Sequence, residues 1–150
     1  MKILFINGSP NKEGNTAALA EVLLSGKEYE TLNLTDYRIG SYGQNFSDDQ
    51  LDAVIGKMKQ SETIVIGSPL YWHNICGSVR NMLDRFYGLV PEGSLSGRTM
   101  YFLFQGAGPE KWMLEAGEYT MKRFAGLYGM EYAGMATNRS EAAKLSEKLR

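Results

Sequence analysis

The sequence predicts an α/β fold: a doubly wound parallel sheet of five strands, in the order 2-1-3-4-5, with helices on both faces. Short apolar runs alternate with amphipathic helical patterns along the 150 residues, and this alternation is the signature of βαβ units. Right-handed crossovers restrict how such units connect, and a closed eight-unit barrel needs about 250 residues. We therefore expect one domain that spans residues 1–150.

Five short apolar runs, bounded by polar residues or glycine, are predicted to form the strands. The predicted strands are residues 2–7, 29–34, 63–67, 99–105 and 131–136. In the 2-1-3-4-5 order the first and third strands are neighbours, and their onward connections leave on opposite faces of the sheet. The crevice between their carboxyl ends is therefore the expected ligand site.

The segments between the strands carry apolar residues at helical spacing. The third helix is the clearest, because four apolar side chains recur at i, i+3, i+4 and i+7; they are Val79, Met82, Leu83 and Phe86. The other predicted helices cover residues 16–25, 51–59 and 110–127, and a last one runs from Ser140, the expected N-cap, to the C-terminus.

Composition argues against several classes of function. The 16 basic and 17 acidic residues give a net charge of −1, and the scattered basic residues argue against binding to nucleic acid or to an anionic membrane. One histidine and one cysteine, Cys76, make neither a metal cluster nor a disulfide, so we expect no metal and a Cys76 packed as a small apolar residue. The short apolar run at residues 3–6 is too brief for a signal peptide or membrane span, which predicts a cytoplasmic protein.

The first connection, Gly8 to Thr16, is a candidate phosphate site. It leads into a helix whose expected N-cap is Asn15 or Thr16, and the free backbone N–H groups and dipole of a helix N-terminus attract a phosphate. Neither Gly-Lys-Ser/Thr nor Gly-x-Gly-x-x-Gly occurs, which disfavours a Walker loop and a bound dinucleotide. The candidate binding residues are Ser9, Asn11, Gly14, Asn15 and Thr16. The alternative is that they only form a turn and cap the helix.

The third connection, Gly67 to Asn74, is a candidate site for a planar ring, because adjacent aromatics in a loop are costly to leave in water. The candidate binding residues are Pro69, Leu70, Tyr71, Trp72, His73 and Asn74. Alternatively, Tyr71 and Trp72 belong to the core or to a dimer interface. Tyr71 and His73 are the candidate catalytic residues, His73 as a proton donor.

A third segment, residues 105–109, leaves the fourth strand at the same edge of the sheet and can approach the ring. Its candidate binding residues are Gln105, Gly106 and Gly108. The alternative is a flexible glycine turn.

Four sequence motifs together carry a family resemblance. They are Gly8-Ser9-Pro10, Gly14-Asn15-Thr16, residues 67–72 (Gly-Ser-Pro-Leu-Tyr-Trp) and Asp84-Arg85. With these motifs the chain resembles the NADPH-dependent FMN reductase and NAD(P)H:quinone reductase group of flavodoxin-like proteins. The resemblance covers essentially the whole chain.

This resemblance implies noncovalent FMN, with its phosphate at Ser9, Asn11, Asn15 and Thr16 and its isoalloxazine ring against residues 69–73. It also implies a homodimer with the flavin near the subunit interface, and transfer of two electrons from NADPH or NADH through FMN to a small-molecule acceptor. Some relatives hold an iron–sulfur cluster in a cysteine-rich segment after the second strand, whereas residues 38–44 contain no cysteine. Asp84 and Arg85 are expected to fix the third helix to the loops.

The leading hypothesis is an FMN-dependent oxidoreductase that passes electrons to a quinone, a nitro or azo compound, or free flavin. One alternative is a flavodoxin-type electron carrier, although the nearly neutral charge is unlike the strongly acidic carriers. A second alternative is a flavin-free binding or regulatory module, because a fold alone does not fix a function.

Overall fold

The structure is a computed structural model that describes residues 1–149, and its sheet has five parallel strands with one short antiparallel addition. The strands are β1 (Ile3–Asn7), β2 (Glu30–Asn33), β3 (Thr63–Tyr71), β4 (Asn74–Ile75), β5 (Thr99–Gln105) and β6 (Glu131–Ala136). The parallel strands lie in the order β2-β1-β3-β5-β6. This confirms the predicted doubly wound order, since β4 only shifts the numbering.

The helices cover both faces of the sheet, as predicted. They are α1 (Asn15–Leu23), α2 (Leu51–Lys59), α3 (Gly77–Phe86), α4 (Lys111–Leu127) and α5 (Arg139–Leu145). Short 3₁₀ turns follow β2 and α5, at Leu34–Asp36 and Ser146–Leu149. Among residues 1–149, no helix has the length and apolar character needed to cross a membrane.

Strand alternation separates two hydrophobic cores. In β1, Leu4 and Ile6 pack with residues of α2, α3 and α4 on one face of the sheet. Ile3 and Phe5 point to the opposite face and pack with residues of α1 and α5. Because successive side chains of a strand alternate between the two faces, one fully buried strand contributes to both cores.

The third strand is longer than the sequence predicted. It continues beyond Gly67 to Tyr71, because Ser68 and Pro69 pair with the end of β5 and because Leu70 and Tyr71 pair with β4. The predicted loop at residues 67–74 was therefore wrong in its first half. What remains of it is a two-residue turn, Trp72-His73, at the tip of a β-hairpin.

Two predicted helix caps were also wrong. The N-cap of α1 is Gly14 rather than Asn15 or Thr16, and no side chain caps it. The N-cap of α5 is Asn138 rather than Ser140, because the Asn138 carboxamide oxygen accepts a hydrogen bond from the Glu141 backbone N–H at 2.8 Å. An asparagine here satisfies a free first-turn N–H as well as a serine would.

Candidate functional site

Three connections meet at the carboxyl edge of the sheet. The backbone N–H of Gly8, after β1, donates to the carbonyl of Gly67 in β3 at 2.8 Å. The Ser78 hydroxyl, at the start of α3, donates to the carbonyl of Gly8 at 2.7 Å. A Cβ atom added at Gly106, after β5, would lie 2.9 Å from the Cβ of Leu70. The structure therefore brings the predicted phosphate loop, the hairpin and the third segment to one edge.

The loop from Gly8 to Gly14 is shaped by a relay of side chains that accept hydrogen bonds from the backbone. The side-chain oxygens of Asn7, Ser9 and Asn11 each accept the N–H two residues further on, at 3.1, 3.1 and 3.3 Å. Asn7 is fully buried and also donates to Asn33 of β2 at 3.1 Å. Such turns fix a loop without regular structure, so the side-chain oxygens of Ser9 and Asn11 already have backbone partners.

Thr16 occupies an unusual position at the end of this loop. Its side chain is 1% exposed and lies in the first turn of α1. Its hydroxyl oxygen is buried and, among residues 1–149, has no hydrogen-bond partner. A buried hydroxyl without a partner costs about 1–3 kcal/mol, and one beside a helix N-terminus is suited to a ligand that carries acceptor oxygens.

Lys12 carries the positive charge of the phosphate loop and was not among the binding residues predicted from the sequence. Its ammonium group lies 2.7 Å from the carboxylate of Asp36, in the turn after β2, and both side chains are about half exposed. An exposed ion pair of this kind contributes at most about 1 kcal/mol. The signal in the sequence was the lysine itself, placed between the two glycines of the loop.

The hairpin holds two side chains in a conformation that is rare for them. Trp72 and His73 have φ angles of 44° and 66°, and the two-residue loop joins Tyr71 to Asn74 in antiparallel register. Positive φ at both positions is typical of a type I′ turn, where Asn-Gly is the usual sequence. A tryptophan and a histidine there are strained, and such strain often marks a functional site.

Exposed aromatic side chains surround this turn. Trp72 is 93% exposed and Tyr71 48% exposed. The His73 ring makes an edge contact with Trp112 of α4, at 5.5 Å between centroids. The Trp112 indole N–H donates to the Glu110 carboxylate at 2.6 Å. The predicted alternative that Tyr71 and Trp72 are core residues is therefore wrong, and Trp112 joins the group.

The loop from residue 38 to 50 is tied to α3 by a nearly buried ion pair. Arg85 contacts Asp49 at 2.6 Å, and the two side chains are 12% and 14% exposed. The hydrogen bond from Arg85, with further ones from the N–H groups of Gly40 and Leu51, lowers the pKa of Asp49 to about 2. Arg85 thus fixes the helix to a loop as predicted, whereas Asp84 is exposed.

Pro69 and Cys76 are buried, and Cys76 packs in the core as expected. An open groove of about 520 Å³ between α3 and α4 contains none of the candidate site residues. Among residues 1–149, no cluster of three or more His, Cys, Asp or Glu side chains is arranged to hold a metal.

A family model described as NADPH-dependent FMN reductase matches residues 1–142 of the chain. The chain belongs to this family. This FMN reductase family member is 40% identical over 98 residues to an iron-sulfur flavoprotein of Archaeoglobus fulgidus, and the alignment covers 57% of this chain and 48% of that protein. It is 30% identical over 87 residues to an NADPH azoreductase of Bacillus sp. (strain OY1-2), covering 56% and 49%. The chain spans about half the length of these curated relatives.

Solved structures share the fold of this FMN reductase family member. The Trp repressor binding protein from Bacillus subtilis superposes with a TM-score of 0.77 at 21% identity, covering 95% of this chain and 99% of that one. An FMN-dependent NADH-azoreductase from Bacillus anthracis, in complex with FMN, has a TM-score of 0.63 at 16% identity, covering 99% and 95%. The fold is flavodoxin-like, as predicted.

Because the chain belongs to this family, its cofactor is FMN, and the phosphate loop fits this cofactor. The unpartnered hydroxyl of Thr16 is an orphaned buried polar group at a helix N-terminus. An iron–sulfur cluster does not fit, because such clusters are held mainly by cysteine thiolates. These 150 residues contain a single cysteine, and it is buried in the core.

Proposed function

We propose that this chain is an FMN-dependent oxidoreductase that takes electrons from NAD(P)H and passes them to a small, planar acceptor such as a quinone or an azo or nitro compound. The observation that carries the proposal is the buried, unpartnered hydroxyl of Thr16, at the same sheet edge as the exposed aromatic hairpin. The first feature suits a phosphate and the second a flat ring, and FMN contains both.

The phosphate of FMN is assigned to the end of the loop. Asn15 has a backbone N–H at the start of α1, where the helix supplies no partner for it, and Thr16 adds its hydroxyl. The N–H of Gly14 already donates to the Asn11 carbonyl at 3.3 Å. Ser9 and Asn11 hold the loop in shape through their oxygens, and the Ser9 hydroxyl and the Asn11 amide keep donors for the phosphate.

The isoalloxazine ring is assigned to the hairpin and the segment after β5. Leu70 lies beside Gly106 and follows the buried Pro69, while Tyr71 and Trp72 are exposed and are assigned to contact the ring. Backbone groups of His73, Asn74, Gln105 and Gly108 are assigned to hydrogen-bond the polar side of the ring. Protein groups of this kind tune the electron affinity of a flavin.

The residues of the chain position the reactants and deliver protons. When bound, FMN supplies the electron-transfer chemistry, accepting two electrons from NAD(P)H and passing them on. His73 is exposed beside the ring site, and its imidazole is assigned to deliver a proton to the reduced acceptor. The Tyr71 hydroxyl orients the acceptor by donating a hydrogen bond.

The oligomeric state and the cellular location are proposed from the exposed apolar surface of the chain and from its electron donor. A homodimer is favoured by the groove between α3 and α4, whose rim carries the exposed apolar side chains of Tyr42, Tyr87 and Leu127. Exposed apolar patches of this kind often mark protein interfaces. A cytoplasmic location is proposed as compatible with a reaction that draws on NAD(P)H, and the net charge of −1 gives no support for binding to nucleic acid.

A visible spectrum tests the proposal. The protein is incubated with FMN, desalted, and measured before and after anaerobic addition of NADPH. We expect retained flavin bands that bleach promptly, with the retained amount or the spectrum altered in Tyr71→Ala and unchanged in Lys59→Ala on α2. Bands lost on desalting would contradict FMN binding. Retained bands that neither NADPH nor NADH bleaches would indicate an electron carrier instead.

A further inference from the structure

An open cavity of about 540 Å³ lies beside the candidate site and is not used by the proposed FMN contacts. One wall is the segment from Leu34 to Ser41, after β2, and the other is the first two turns of α3. Its volume falls in the range of small-molecule sites, about 300–1,000 Å³. The cavity is therefore large enough for a nucleoside-sized group.

The chemistry of the cavity walls suits a phosphorylated nucleoside. Arg80 contributes a half-buried guanidinium and also lines the edge of the groove between α3 and α4. Within residues 1–149 this group forms no ion pair. The hydroxyls of Thr35 and Ser41 line the same space, and Tyr37 adds a half-buried aromatic ring. Arginine binds phosphate through paired N–H donors, and an aromatic ring can stack on a base.

The carboxylate of Asp84 is expected to weaken phosphate binding in this cavity, and its removal therefore provides a test. It lies one helical turn beyond Arg80 and lines the same cavity. Its carboxylate is exposed, and no ion pair with Arg80 is formed among the described residues. A carboxylate near a bound phosphate weakens binding, and solvent screens much of this repulsion when the group is exposed.

The cavity adjoins both halves of the proposed FMN site. The Ser78 hydroxyl on its wall donates to the carbonyl of Gly8 in the phosphate loop at 2.7 Å. Helix α3 starts at Gly77, directly after the hairpin strand β4, so the wall that carries Arg80 continues from the ring side of the site.

We propose that this cavity binds the adenosine end of the nicotinamide donor and that Arg80 contacts its 2′-phosphate, so that Arg80 selects NADPH over NADH. The inference rests on the proposed function for the identity of the donor. It goes beyond that function by assigning the donor a subsite and a specificity-determining residue. No covalent step takes place in the cavity.

Two measurements test the subsite. Calorimetric titration of the FMN-loaded protein with adenosine 2′,5′-bisphosphate and with adenosine 5′-monophosphate reads binding without turnover. We expect the bisphosphate to bind about tenfold more tightly, since a charge-assisted contact contributes on this scale. Steady-state kinetics should give an Arg80→Gln variant with a KM for NADPH raised about tenfold and an unchanged KM for NADH. Arg80→Lys should recover part of the difference.

Matched variants separate the subsite from general charge effects. Arg139→Gln makes the same change in charge on α5, on the opposite face of the sheet, and should alter neither KM. Asp84→Asn should tighten binding of the bisphosphate. Melting temperatures check that each variant is folded.

Three outcomes would overturn the proposal: equal affinity for the two nucleotides, equal changes in both KM values, or an Arg80→Gln variant whose defect is weaker self-association in sedimentation. The third would assign Arg80 to a subunit contact. Failure to retain FMN would contradict the proposed function instead, and the nucleotide titration, repeated on the flavin-free protein, would still decide the fate of the subsite.

Discussion

At the residue scale, the sequence predicts where Thr16 lies but not the environment of its hydroxyl group. The spacing of Gly14, Asn15 and Thr16 was enough to place Thr16 at a helix start. The sequence could not show that its hydroxyl is buried without a partner, because that depends on the approach of β3, where Gly67 leaves room for the Thr16 methyl group. A Cβ atom at Gly67 would lie 2.6 Å from that methyl group.

Replacing Thr16 by valine separates binding from stability. Valine keeps the shape of threonine and removes the buried hydroxyl, so the flavin-free variant should be about 1 kcal/mol more stable in urea denaturation. Its affinity for FMN should fall about tenfold, because one donor to the phosphate is lost. Thr120→Val on α4, where the hydroxyl bonds the Ala116 carbonyl at 3.3 Å, is the control. An unchanged FMN affinity in Thr16→Val would contradict the phosphate assignment.

At the scale of elements, the five parallel strands were predicted to within a residue except at the end of β3. Periodic apolar residues defined α2 and α4 to within a residue, since a helix carries its signal locally. The end of β3 depends on pairing with β4 and β5, which are distant or short. For the same reason the strained turn at Trp72-His73 carried no sequence signal, because Asn-Gly is what a type I′ turn usually shows.

Contact between elements explains why glycine occupies position 8. A Cβ atom there would lie 2.3 Å from Val79 Cγ2 of α3 and 2.9 Å from the Gly67 carbonyl oxygen. Gly8→Ala should therefore lower the free energy of unfolding by about 1–3 kcal/mol, because it overpacks the junction of β1, β3 and α3. Gly56→Ala is the matched control, since its added methyl group meets nothing within 4 Å.

Urea denaturation compares the two glycine variants. Because Gly56 lies inside α2, alanine there should raise stability by up to about 1 kcal/mol through helix propensity. If Gly8→Ala proved as stable as the parent protein, the close approach of α3 to the end of β1 would be wrong.

At the scale of the whole molecule, the order of the sheet was predictable and the loop from residue 38 to 50 was not. Alternating elements and right-handed crossovers leave few topologies, so the parallel order followed from the pattern alone. The loop instead depends on long-range contacts. Arg38 lies over the Phe46 ring at 4.2 Å, Asn81 donates to the Ile39 carbonyl at 2.8 Å, and Arg85 pairs with Asp49.

The Asp49–Arg85 ion pair predicts how stability depends on pH. Because hydrogen bonds from Arg85 and the backbone lower the pKa of Asp49 to about 2 in the folded protein, its stabilising contribution is complete above the unfolded pKa, near 4. It is lost as the pH falls from 4 towards 2. The shift corresponds to about 2 kcal/mol.

Asp49→Asn should therefore be less stable than the parent protein at pH 7, and the difference should shrink as the pH is lowered from 4 to 2. Free energies of unfolding in urea at a series of pH values measure this. Asp52→Asn, which removes an exposed carboxylate from α2, should follow the pH dependence of the parent protein. A constant difference between Asp49→Asn and the parent protein across this range would mean that the carboxylate of Asp49 is not held by Arg85 in solution, and that other contacts tie the loop to α3.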